Sequence, residues 1–225
     1  MYLWIIIFLF SRVYPKEITV KTSDELTEAV YGNNTVIVDG EINLKDEILL
    51  QPGKSGTVHL IIRGLHRKKS VISFSDLTKG LTFDNVTSVE IENITIRGRL
   101  NFKGQDYVKV HEVDHYGIFD TTRIGSNGYV HIKNYLFEPQ TQKARANSVK
   151  FNSGRTIIEN SEFIGNPGST ESLIKYVGKT DSVNDLSILN SKFDGNYLTS
   201  AVIVQVGNVT IQNCIFYNGF SKNKG

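Results

Sequence analysis

VEIENITIRG, Val89 to Gly98, sets the pattern for the rest of the chain. Its skeleton is apolar-x-apolar-x-Asn, two residues, a large apolar residue, one residue and usually Gly. Worn copies follow: VHIKNYLFEP from Val130, IIENSEFIGN from Ile157, SILNSKFDGN from Ser187 and VTIQNCIFYNG from Val209. The Asn slot falls at Asn93, Asn134, Asn160, Asn190 and Asn213. VKVHEVDHYG, Val108 to Gly117, supplies one more copy with Glu112 in that slot. Repeats 19 to 30 residues apart mark a solenoid, whose units bury their apolar sides only by stacking. Val89 and Ile91, then Ile94 and Ile96, alternate with polar residues at strand period. The phase slips by one at Asn93, so the chain must bend there. Asn tolerates the left-handed backbone of such a bend, and its amide can bond along a stack of like residues.

A third strand often precedes the phrase: Leu81 and Phe83, Val149 and Phe151, Val202 and Val204. Near the start, Ile18–Val20 and Val36–Val38 flank Ser23–Val30, a helix with Leu26, Ala29 and Val30 on one face. Ser23 is the expected cap, and Asp24 and Glu25 suit the positive end of the helix dipole. A solenoid end needs such a lid over its core and strand edges.

These features resemble the pectin-lyase-like superfamily. The opening from Glu17 to Leu50, with V-I-V-D-G after a short helix, is similar to many of its domains. The N-S-x-F-x-G-N wording of Asn160–Asn166 and Asn190–Asn196 is most similar to its repeat-containing surface and adhesin-type members. The resemblance covers the chain from about Lys16 onward. It implies an all-β, right-handed parallel β-helix with a short N-terminal helix cap, residues 16–225 forming one domain. One such fold hosts many functions, so activity must be argued from the site.

A formal net charge of +2 gives no electrostatic case for nucleic acid or an anionic membrane. The lone Cys214 cannot form an intramolecular disulfide and is expected to pack beside a bend. Tyr2–Phe10 is uninterruptedly apolar, too short to span a bilayer. Residues 1–15 are therefore expected to be a signal peptide, giving a secreted or cell-surface protein without a transmembrane span. No closing helix follows the last repeat, so the stack is expected to be truncated at Gly225.

HEVDH, His111 to His115, matches the letters of H-E-x-x-H. That zinc chemistry needs both imidazoles on one helical face, whereas this segment has strand flanks and falls in register with the repeat. No metal site is expected. Asp106, Glu112, Asp114, His115 and Asp120 still make this the most titratable coil, and Glu112, Asp114 and His115 are the candidate catalytic residues. The superfamily's lyase wording R-x-P-x-x-R and its polygalacturonase set are absent. Asp181, Asp185 and Asp194 are carboxylates only loosely placed for acid–base work. Arg67, Lys68 and Lys69 are expected to form a solvated basic corner. Tyr135, Tyr176, Tyr197 and Tyr217 are candidate platforms for sugar rings, and the insertions Pro139–Asn147 and Pro167–Asp181 could build a lateral surface. Asn33, Asn85 and Asn208 begin sequons and are candidate glycosylation sites, Asn33 and Asn208 because they look like bends; Asn93 begins another but belongs to the ladder. The leading expectation is a non-enzymatic module, adhesin-like or carbohydrate-binding, with a polysaccharide or cell-surface glycan as partner and no cofactor. The alternative is a polysaccharide lyase or glycoside hydrolase on acidic polysaccharide, with calcium if a lyase.

Overall fold

The computed structural model describes residues 15–50, 59–84, 86–139, 149–152, 154–166, 172–178, 183–197 and 200–219. Within them the chain winds through three ladders of short parallel strands. The first ladder runs β1 (Lys16–Val20), β2 (Asn34–Val38), β5 (His59–Gly64), β8 (Ser88–Arg97), β9 (Arg99–Tyr116), β10 (Phe119–Lys133), β13 (Gly154–Glu159), β16 (Asn184–Leu189) and β19 (Asn208–Gln212). The second runs β3 (Glu41–Leu44), β6 (Val71–Phe74), the distal parts of β8 and β9, β11 (Leu136–Phe137), β14 (Glu162–Ile164), β17 (Lys192–Asp194) and β20 (Ile215–Tyr217). The third runs β4 (Ile48–Leu50), β7 (Gly80–Asp84), the leading parts of β9 and β10, β12 (Val149–Asn152), β15 (Ile174–Val177) and β18 (Val202–Val204). Each pass returns the chain one coil further on, giving a parallel β-helix.

The repeat explains the interior. The alternating positions of the first strand stack as Leu60, Val89, Val108 and Val130, with Ile62, Ile91, Val110 and Ile132 beside them, all buried. The third ladder stacks Phe83 on Phe102 at 5.1 Å; Thr121 takes the next position in register, and the Phe119 ring, two residues off, packs between Phe102 and Phe151. The second ladder stacks Phe137, Phe163, Phe193 and Phe216, with ring centroids 6.2, 5.0 and 4.8 Å apart. In-register parallel pairing puts like residues over like, so one repeat's choice of Phe is reinforced by the next.

The bends lie where the phase slips. Asn93, Asn134, Asn160, Asn190 and Asn213 have φ of 49–52°, and Glu112 has 56°. Asn93 donates to Gly64 O at 2.8 Å, and Asn213 donates to Asn190 Oδ1 at 3.2 Å. The Gly that closes the phrase lets coils touch by backbone: a Cβ on Gly117 would stand 2.0 Å from Gly98 O.

Helix α1 (Ser23–Ala29) lies against β1, β2 and β3, burying Leu26 and Ala29. Its cap is Thr22 rather than Ser23. Thr22 Oγ1 accepts from Glu25 N, and the Glu25 carboxylate accepts from Thr22 N. Only Thr22 has a Glu three residues on, so the reciprocal box selects it. At the other end Ile211, Ile215 and Phe216 continue the repeat positions yet remain exposed. Cys214 is half-buried against the core, its thiol near Ile188 O. Residues 1–14, Asn85 and most of both insertions lie outside the described residues.

Candidate functional site

The outer face of the first ladder carries the densest chemistry. With Val108, Val110, Val130 and Ile132 inward, alternation sends Tyr107, Lys109, His111, Tyr129, His131 and Lys133 outward. Register then stacks them in columns. One column reads Arg63, Glu92, His111, Lys133, Glu159 over successive coils. Its neighbour contains Glu90, Lys109 and His131, and beyond it lie Tyr107, Tyr129 and Arg155.

Opposite charges meet across coils. Arg63 binds one Glu92 oxygen through Nη2 at 2.8 Å and Nε at 3.0 Å. Lys109 bridges Glu90 and Glu92. Burial pushes the Glu92 carboxyl up, but hydrogen bonds from Lys109 and Arg63 outweigh it and hold it below its usual range. Tyr107 and Tyr129, both half-buried, stack with centroids 5.7 Å apart and planes 12° from parallel. Pairs this exposed contribute only about 0–1 kcal/mol each. Their larger effect is to fix register and to hold a rigid polar strip on the outside.

Two imidazoles meet in the strip. His111 Nε2 lies 3.1 Å from His131 Nδ1, with the rings at 88°, and His131 Nε2 lies 2.8 Å from Glu159 Oε1. The carboxylate takes a proton only from an N–H, so neutral His131 carries its proton on Nε2. Its Nδ1 then accepts from His111 Nε2–H. Burial, aided by His131 and Lys109, pushes His111 down to about 4. His131 and Lys133 hold Glu159 low. Beside this pair lies an open recess of about 440 Å³ lined by Arg63, Glu92, His111, Glu112 and Lys133. The bend residues Asn93 and Asn134 complete its wall.

The candidate residues separate. Glu112 is exposed and lines the recess. It is the bend residue of its coil, in a left-handed conformation that costs most L-residues about 1–2 kcal/mol and Asn less. Glu112→Asn is therefore expected to stabilise the chain by about 1 kcal/mol, read as a higher urea midpoint. An unchanged or lower midpoint would show that the carboxylate contributes to the fold. Asp114 is largely buried and accepts from Arg67 at 2.7 and 3.0 Å. Arg67 of the basic corner is thereby tied down, while Lys68 and Lys69 are exposed. His115 is fully buried. Its Nε2 lies 2.7 Å from Gly98 O and its Nδ1 2.6 Å from Tyr135 Oη. The carbonyl needs a donor, so Nε2 is protonated and Nδ1 accepts from the tyrosine. His111 and His115 thus sit outside and inside the coil. Among the described residues no three His, Cys, Asp or Glu side chains converge as a metal-binding group.

Half of the proposed aromatic platforms are core. Tyr135 and Tyr176 are fully buried, the latter donating to Gly154 O at 2.6 Å. Tyr135 occupies the inward slot just after the bend residue, like Ile94 in the first phrase. Tyr197 and Tyr217 are exposed. The stacked pair Tyr107–Tyr129 was missed. Alternation alone puts both outward, but only inter-coil register brings them together. Asp106 is exposed, and burial pushes the Asp120 carboxyl up. Asp185 and Asp194 lie in different ladders, while Asp181 is outside the described residues. Asn33 and Asn208 are exposed; Asn33 Oδ1 accepts from His59 N at 2.7 Å, and Asn208 donates to Asp185. No helix among the described residues is long and apolar enough to cross a membrane.

Fold and strip define a parallel β-helix solenoid with a charged, aromatic outer face. No family model and no curated protein matches the chain.

Proposed function

We propose that the chain is a secreted or cell-surface β-helix module, of the pectin-lyase-like kind, that binds a polysaccharide or cell-surface glycan along its first ladder. The observation that carries this reading is the Tyr107–Tyr129 stack flanked by ordered charged side chains. Sugar rings present apolar faces to aromatic planes and hydroxyls to charged groups. A strip built on strands is pre-organised, so little side-chain entropy is lost on binding. The apolar run Tyr2–Phe10 supports secretion.

A panel of neutral and acidic glycans tests the reading. We expect binding that falls at least tenfold, about 1.4 kcal/mol, in Tyr107→Ala/Tyr129→Ala and is retained in Tyr197→Ala. A blank panel on folded protein, or equal loss in both variants, would remove it. A second reading, a lyase or hydrolase on acidic polysaccharide, is favoured by the convergence of Arg63, Glu92, His111, Glu112 and Lys133 on one recess. It requires unsaturated product or new reducing ends that disappear in His111→Gln.

A further inference from the structure

We propose that His111 and His131 form a binding site for one divalent transition-metal ion of the zinc class, with Glu159 as the residue that orients it. The two nitrogens that face one another, His111 Nε2 and His131 Nδ1, are 3.1 Å apart. A tetrahedral zinc ion with Zn–N bonds of about 2.05 Å holds its nitrogens about 3.3 Å apart. With the His111 proton moved from Nε2 to Nδ1, both facing nitrogens present lone pairs, and binding needs a separation change of only about 0.2 Å.

The partner on the far side of His131 fits the same chemistry. Metal-bound imidazoles typically donate their other N–H to a carboxylate, which fixes the tautomer and raises ligand basicity. Glu159 does this to His131, leaving the Nδ1 lone pair directed at His111. The remaining coordination positions fall to water. The adjacent recess, at about 440 Å³, has room for several molecules at roughly 30 Å³ each. Local charge does not oppose a cation: Arg63, Lys109 and Lys133 are outnumbered by Glu90, Glu92, Glu112 and Glu159. Two imidazoles with no close thiolate select an imidazole-preferring ion over calcium or magnesium. The pair lies 20 residues apart in sequence and belongs to no metal-spacing motif; only stacking of two coils creates it. The site does not depend on glycan binding.

The test is titration of the untagged chain with zinc chloride by calorimetry, and with cobalt chloride by visible absorption. We expect saturable uptake of one ion per chain, with cobalt bands that report nitrogen ligation. His111→Gln and His131→Gln should each abolish it, whereas His66→Gln, at an exposed histidine elsewhere, should leave it intact. Glu159→Gln should weaken it about 10- to 100-fold. All these side chains are on the outer face, so metal-free melting curves should match the parent. Should one imidazole variant fail that check, the other and Glu159→Gln decide. Absence of saturable uptake, or uptake of equal stoichiometry in His131→Gln, would overturn the proposal.

Discussion

Phe163→Ala is expected to lower the unfolding free energy by about 3–5 kcal/mol, the usual cost of deleting a buried aromatic ring. Phe163 is fully buried and lies near-parallel to Phe193, with Tyr135 and Phe137 on its other side. Ladder pairing above and below holds the backbone of this coil in place, so the gap can close only by side-chain movement. A solenoid coil contacts only its neighbours, so the damage should be local. Hydrogen exchange should quicken in β14, β17 and β20 while β2 and β5 stay protected. Phe216→Ala in the same column provides the scale: the residue is 45% exposed, so its loss should be markedly smaller. Equal losses at the two positions would mean that the column is not a continuous core.

The second large effect is acid destabilisation through His115. Burial pushes this imidazole down to about 4, partly offset by its hydrogen bond to Gly98. In the unfolded chain the same group titrates near 6.5. Between these values the unfolded state takes up a proton that the folded state refuses. Stability is therefore complete above about pH 6.5, falls as pH drops, and levels off below about pH 4. At about 1.4 kcal/mol per unit, the loss approaches 2 kcal/mol by pH 5 and about 3 kcal/mol by pH 4. His111 acts in the same direction from the outer face. Urea unfolding between about pH 7.5 and pH 5 measures the slope before ordinary carboxylates protonate. His115→Phe/Tyr135→Phe removes both side chains of the buried pair and leaves only the Gly98 carbonyl without this donor, whereas His115→Leu strands the tyrosine hydroxyl as well. The double variant should show a flatter profile than the parent. A profile of unchanged slope would place the acid sensitivity elsewhere.

Much of the architecture was legible because the repeat states it twice, once by alternation and once by the phase slip. Val89–Gly98 gives the inward positions, and the recurring Asn gives the left-handed bend. The six bend positions, Glu112 included, share one conformation. The placement of α1 followed from its apolar face. Its cap did not, since choosing Thr22 over Ser23 requires noticing the Glu three residues ahead. Long β9 and β10 were not legible either: each runs round a corner as one strand, β9 passing through Gly104 and Glu112 at positive φ.

The sequence by itself determined the solenoid, the inward columns of aliphatic and aromatic residues, and the separation of His111 from its motif partner His115. A period-2 strand fixes which side each side chain takes, and that is local information. The tertiary structure alone decided which outward side chains meet. Tyr107 with Tyr129, Arg63 with Glu92, and His111 with His131 and Glu159 are set by the register between coils. Spacers of unequal length separate those coils, so no fixed sequence offset encodes the contacts. The ladder hydrogen bonds and stacked rings choose one register, and the chemistry of the outer face follows from that choice.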